Sequence, residues 1–256
     1  MRVFASVAFA AASLLSGTAP AQPQPTADQL HARYVEAIGG AAAVASIKTV
    51  KFEGEMRFPG DFKLNFTDTR DAASGAGRAE ATLQGLTLVQ AYDGKAGWRI
   101  NPFQGRRDAE TMSADEARAI ADQESIGGAL LNAKKDGSTL TYLGREDFDG
   151  TETYKLKVAQ KDGDEFVYLL EPETMLPIKV TETRRIRGSQ QVSETELGDY
   201  EKVAGVYFPM SVESWQDGQS NQRQRITIAK ATANVPVTPA LFAQPGAPAS
   251  SSSAAK

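Results

Sequence analysis

Along most of this chain the apolar side chains recur at every second position. Val50, Phe52, Met56 and Phe58 alternate with Lys51, Glu53, Glu55 and Arg57, and Phe62, Leu64 and Phe66 alternate with Lys63, Asn65 and Thr67. The same period holds at Tyr154, Leu156 and Val158, at Phe166, Tyr168 and Leu170, at Val206, Phe208, Met210 and Val212, and at Ile226 and Ile228. Successive side chains of a strand point to opposite faces, so this period builds antiparallel strands with one apolar and one wet face. Turn chemistry agrees. Asp-Gly stands at 93–94, 136–137, 149–150, 162–163 and 217–218, and Pro59-Gly60-Asp61 separates the first two strands. Between alternating segments Asp-Gly marks a hairpin, because both residues tolerate positive φ. The expected fold is α+β, mainly β: a single strongly curved antiparallel sheet, an incomplete β-barrel of about nine to eleven strands.

Helical periodicity is confined to a few short segments. Leu30, Tyr34 and Ile38 form one stripe, with Thr26 or Asp28 as the cap and Gly39-Gly40 as the stop; Ala41 to Ile47 adds a short second helix. Ser113-Ala114-Asp115-Glu116 has the pattern of a capped helix start and leads to Gln123, with another turn or two over Ile126 to Asn132. Only these helices are available to cover the concave apolar face of so large a sheet. They are too few and too small to fill it. That shortfall points to a hydrophobic cavity beneath short lidding helices.

Of the 256 residues 41% are hydrophobic and 23% charged, a globular balance, and the chain is long enough to hold one core. Arg2, the uncharged apolar run Val3 to Leu15 and the small-residue site Ala19-Pro20-Ala21 read as a secretory signal peptide over 1–21. No cysteine follows that run, so the expected product is soluble and not lipid-anchored. A linker at 22–25, one domain at 26–244 and a disordered Pro/Ser/Ala tail at 245–256 complete the expected organisation.

Composition excludes much chemistry. The absence of cysteine removes disulfides, thiolate metal sites and cysteine nucleophiles, and one histidine, His31, cannot make a two-histidine site. A net charge of -4 does not suit a nucleic-acid binder that works through a basic field. Asp147-Phe148-Asp149-Gly150 and Lys161-Asp162-Gly163-Asp164 lack the remaining ligands of a calcium loop and fall where strands must reverse. The pairs Glu53/Glu55 and Glu194/Glu196 lie on the wet face of strands, solvated and unperturbed. His31 is expected on the surface of the first helix. Arg184, Arg185 and Arg187, with Arg106 and Arg107, read as surface charge balanced across the sheet by Glu182, Glu194 and Glu196, contact with anionic lipid headgroups or a partner protein being the alternative. The expectation is no enzyme, no metal, no cofactor and no nucleic-acid partner.

Several segments, in order, resemble the LolA-like, outer-membrane lipoprotein-sorting family. They are Tyr-Val-Glu-Ala-Ile-Gly-Gly at 34–40, Lys-Thr-Val-Lys-Phe-Glu-Gly at 48–54 and Tyr-Asp-Gly-Lys-Ala-Gly-Trp at 92–98. Gly-Arg-Glu-Asp-Phe-Asp-Gly-Thr-Glu-Thr-Tyr-Lys-Leu at 144–156, Glu-Thr-Met-Leu-Pro-Ile-Lys-Val at 173–180, Asp-Tyr-Glu-Lys-Val-Ala-Gly-Val-Tyr-Phe-Pro at 199–209 and Val-Thr-Pro-Ala-Leu-Phe at 237–242 follow. Lengthened hairpins around 181–196 depart from the standard sorting carrier. The resemblance implies a periplasmic, monomeric carrier that shields the acyl chains of lipoproteins or lipids between an inner-membrane donor and an outer-membrane acceptor. A sensor of the same fold, signalling to a membrane partner, is the alternative. The cavity would be lined by the even-numbered strand face, Phe52, Met56, Leu64, Phe66, Tyr154, Leu156, Phe166, Tyr168, Phe208 and Met210. Leu88, Trp98, Ile126 and Leu130 would complete it.

Overall fold

The computed structural model describes residues 24–60 and 62–246; the expected signal peptide at 1–21 and nearly all of the expected tail lie outside the described residues. Helix α1 (Ala27–Ala37) opens on a capping box in which Thr26 Oγ1 accepts the Gln29 N–H at 3.1 Å and the Gln29 side chain accepts the Thr26 N–H at 2.9 Å. Thr26, rather than Asp28, is the cap. Gly39 then turns the chain into α2 (Gly40–Ser46) at φ +129, where a Cβ would lie 2.2 Å from the Gly205 carbonyl oxygen. Glycine alone permits that approach.

Six strands follow: β1 (Thr49–Phe58), β2 (Phe62–Asp71), β3 (Ala76–Leu83), β4 (Leu86–Tyr92), β5 (Gly97–Asn101) and β6 (Arg106–Thr111). The chain leaves the sheet for α3 (Ala114–Glu124) and α4 (Gly128–Asp136). It returns as β7 (Thr139–Phe148), β8 (Thr151–Ala159), β9 (Glu165–Leu170), β10 (Pro177–Ile186), β11 (Ser189–Val203), β12 (Val206–Gln216) and β13 (Gln224–Ala233), and a turn of helix follows, α5 (Pro239–Phe242). Consecutive strands pair antiparallel within each run, and β13 comes back to pair with β1, Val50 opposite Ala233 and Arg57 opposite Arg225. The order β6-β5-β4-β3-β2-β1-β13-β12-β11-β10-β9-β8-β7 leaves β6 and β7 as edges, so the sheet is open.

Thirteen strands exceed the expected number, because alternation marks only strands that bury a face. β6 reads Arg-Arg-Asp-Ala-Glu-Thr and buries no residue; an edge strand needs no apolar face. β11 is half-buried or exposed throughout its 15 residues. Asp136-Gly137 is not a hairpin either. Gly137, at φ 69, ends α4 in a left-handed cap, which carries that helix past the expected Asn132.

Helices α1 to α4 share one face of the sheet, and α5 lies on the other, against β3 and Trp98. α1 packs on α4 and β7, α2 on β12, and α4 on β7 and β8. α3 reaches β3, β4 and β5 on one wing and β10 on the other. It is a strap across the bowl.

Candidate functional site

The alternation places Phe52, Met56, Leu64 and Phe66 inside while Glu55, Arg57, Lys63 and Asn65 stay exposed. Phe52, Phe208 and Met210 meet in one cluster, the two rings edge to face at 5.5 Å, and Ile126 of the α3–α4 link packs against them. Met56, Leu64 and Phe66 form a second cluster with Leu88 at its margin. Leu130, Leu156, Phe166 and Tyr168 join a third, the largest, beneath α1, with Tyr154 at its edge. Trp98 stands apart with Val89 and Ala91, and its indole N–H donates to the Phe242 carbonyl at 2.8 Å. Of the fourteen expected lining residues, Trp98 is thus the one held elsewhere, under the C-terminal segment.

Other members of these clusters were not among the expected lining. Leu30, Tyr34 and Ile38 press the α1 stripe onto the third cluster, and Ile47, Val50 and Val206 extend the first. The α1 stripe was the available signal, since its spacing requires something to pack against. Burial pushes the Tyr34 and Tyr168 hydroxyls well above the usual phenol range. Two open clefts lie beside this packed interior, and neither is the apolar cavity expected beneath the helices, whose expected lining side chains pack on one another instead. One, about 530 Å³, is polar and lined by Phe148, Lys179, Glu194, Glu196, Trp215 and Arg223 among others. The other, about 460 Å³, lies where Met210 meets Thr227 and Ile228, beside Asp199, Tyr200 and Glu201.

Charge ties the strap down alongside a small apolar contact in which Ala117 and Ile120 pack with Met112 and Tyr92. On one wing Glu116 of α3 meets Arg99 at 3.1 Å, and buried Glu124 lies 3.6 Å from Arg70, which also binds buried Asp68 at 2.6 Å. On the other, Arg184 of β10 reaches Asp122 of α3 at 2.9 Å and Asp164 at 2.7 Å, while Arg118 of α3 reaches Asp162 at 3.0 Å. Arg187 closes on Glu116 at 3.0 Å. The Ser113 backbone N–H, the hydroxyl, and then Arg187 and Arg99 hold the Glu116 carboxyl down at about 2 against its partial burial. Burial and the neighbouring Asp68 carboxylate push Glu124 up, against the pull of Arg70.

Three sequence expectations change here. Arg184 is not surface charge: it is only 5% exposed, and besides Glu182 its partners are Asp122 and Asp164 rather than Glu194 or Glu196. His31 is not solvated: it is 5% exposed, its Nε2 lies 3.0 Å from the Leu130 carbonyl, and burial pushes its pKa down. Glu53 is not unperturbed, since Lys51 at 2.8 Å lowers its pKa. The inward carboxylate and guanidinium of β2 stand in the sequence pattern: Asp68 and Arg70 continue the even-numbered series of Leu64 and Phe66.

No family model and no curated protein matches this chain. Among solved structures it is similar to a DUF1329 family protein from Desulfovibrio piger, with 11% identity over 86% of this chain and 98% of that one and a TM-score of 0.59. It is also similar to a domain named as an outer membrane lipoprotein-sorting protein from Vibrio parahaemolyticus, with 11% identity, 84% and 97% coverage and a TM-score of 0.57. A LolA superfamily protein from Nitrosomonas europaea matches with 12% identity, 86% and 98% coverage and a TM-score of 0.55. The fold is LolA-like. Among the described residues no helix is long and apolar enough to cross a membrane, and no group of three or more acidic or histidine side chains could hold a metal ion.

Proposed function

We propose that this chain is a non-enzymatic periplasmic carrier that shields the acyl chains of lipoproteins or lipids while they pass between membranes. The observation that carries this reading is how its apolar interior is divided. Among the described residues the buried side chains fall into separate clusters, where a domain of this size ordinarily builds one contiguous core. Clusters linked only through half-buried side chains, as Val44 of α2 links two of them, can part around a guest. Met56 and Met210 stand among the aromatic side chains there, and the flexible thioether accommodates irregular shapes. The lipoprotein-sorting name of one similar structure supports the same assignment.

The energetics require such a device. Each methylene kept from water is worth ~0.8 kcal/mol, so a palmitoyl chain carries roughly 12 kcal/mol against crossing an aqueous gap unaided. A carrier offsets that by burial and must still release its cargo, which favours an interior that opens over a fixed empty slot. Replacing Phe66 or Phe208 with Asp places a carboxylate in the interior and should abolish retention of a fluorescent fatty-acyl probe. Unchanged retention in both variants, each shown to be folded, refutes the reading.

A further inference from the structure

The sheet is incomplete at one internal seam as well as at its edges. β12 and β13 pair only from Ser211 opposite Thr227 to Ser214 opposite Gln224, although both strands run on below that point. Three neighbouring features mark the same level. In β13, Ala229 is an extra residue opposite the Glu53–Gly54 step of β1, a bulge that bends the strand. In β11, Asp199 adopts φ 51, a left-handed conformation unusual for a side chain other than glycine. In β12, the Tyr207 N–H faces away from β11 and donates to the Ile38 carbonyl at 2.8 Å. Alternation then turns the Pro209 nitrogen to that same side, where the absent N–H leaves no ladder donor unmet. The end of pairing is written into three strands.

The cleft of about 460 Å³ sits at this seam. Its rim includes exposed Thr227, Asp199 and Glu201, and its floor includes Met210 and Ile228, which belong to the Phe52–Phe208 cluster. Against the same cluster pack Ala43 and Val44 of α2, Gly-Ala-Ala-Ala-Val-Ala-Ser, which buries no residue fully and has no side-chain cap at its start. The link into α2 is held to β12 by the Tyr207–Ile38 hydrogen bond and by the close approach of Gly39 to Gly205. α3, by contrast, is fastened to both wings, and lifting it takes buried Glu124 from Arg70, Asp122 from Arg184 and Arg118 from Asp164, and bares Ala117 and Ile120. When it moves, α2 gives up only the packing of Ala43 and Val44 and its link to β12, fewer contacts than α3.

We infer that acyl chains enter and leave through the sheet, between β12 and β13, with α2 as the moving cover and α3 as a fixed strap. This rests on the carrier reading and names the route to its interior. The chain has no cysteine, so a single Thr227→Cys variant can be coupled selectively to a bulky maleimide at the rim, with Gln123→Cys on the exposed side of α3 as the control. Stopped-flow loading and release of a fluorescent fatty-acyl probe are then compared. The Thr227 adduct should slow both by about tenfold or more and leave the dissociation constant unchanged, because a port affects the two directions equally. The Gln123 adduct should change neither rate. As a second test, the Ala43→Cys/Gly205→Cys pair, whose Cβ atoms would lie 3.4 Å apart, should load slowly when oxidised and recover on reduction; the reduced pair is the reference, since any side chain at the φ +91 of Gly205 is itself strained. Uptake by the unmodified protein that neither the rim adduct nor the disulfide slows overturns the port alone. No uptake by the unmodified protein overturns the carrier reading and the port with it.

Discussion

Replacing Arg184 with Met tests the claim that α3 is fastened by buried charge. Methionine keeps an apolar stem against Phe166, over whose ring the guanidinium lies at 5.0 Å, and removes only the cation. Asp164, whose side chain is 2% exposed, then loses its 2.7 Å partner and keeps Arg118 at 3.3 Å. Breaking a buried pair by deleting one member costs about 3–5 kcal/mol. The surviving Arg118 contact places Arg184→Met at the lower end, about 3 kcal/mol. At roughly 2–4 °C per kcal/mol for a domain of this size, the melting temperature should fall by roughly 6–12 °C. Urea unfolding should give the same loss with an unchanged m-value, and amide exchange should quicken along α3 before it does along β8 and β9. Adding Asp164→Asn should restore part of the stability, since the most buried of the orphaned charges is then removed, while Asp122 and Glu182 stay partly solvated. A loss under about 1 kcal/mol, or a double variant as unstable as the sum of the singles, refutes the argument.

Two pH responses of opposite sign follow from the buried groups. The Glu124 carboxyl is pushed up by burial and by Asp68, so its contribution to stability is full below the ordinary carboxylate range and is lost as pH rises through its raised value. Glu124→Gln should therefore flatten that slope and be more stable than the parent at pH 8; a melt showing the parent more stable at pH 8 contradicts this. His31 is pushed down by burial, so its contribution is present above about pH 6.5 and is lost as pH falls through that value towards its lowered one. His31→Gln, which can still donate to the Leu130 carbonyl, should lose less stability than the parent between about pH 7 and pH 5 by urea titration.

The parts of the fold legible in the sequence are those in which one local rule decides the outcome. Period-two alternation found β1, β2, β8, β9 and β12, because each buries one face, and Ser113 and Glu116 found the start of α3 because the capping box is purely local. β6 escaped because an exposed edge carries no pattern. Arg184 was misplaced for a different reason. Its position in β10 puts it on the same face as Phe166, opposite Glu182, but its countercharges Asp122 and Asp164 come from α3 and from the β8–β9 turn. Such pairings exist only after the strap has docked across the bowl. Trp98 shows the same limit: it was expected in the lining, but the register puts it on the face of Lys51, opposite that of Phe52, and the segment that covers it there arrives 144 residues later. The seam between β12 and β13 was partly visible in Pro209, whose meaning depends on which neighbour its nitrogen faces.

The central claim is that the helix-covered face accepts an acyl chain. Native mass spectrometry of the full chain, taken from its own cell envelope and again after incubation with a long-chain fatty-acyl lipid, weighs that claim directly. The account predicts bound acyl mass that is displaced by the added lipid and absent from the Phe208→Asp variant. A chain that carries its bare mass under both conditions contradicts it.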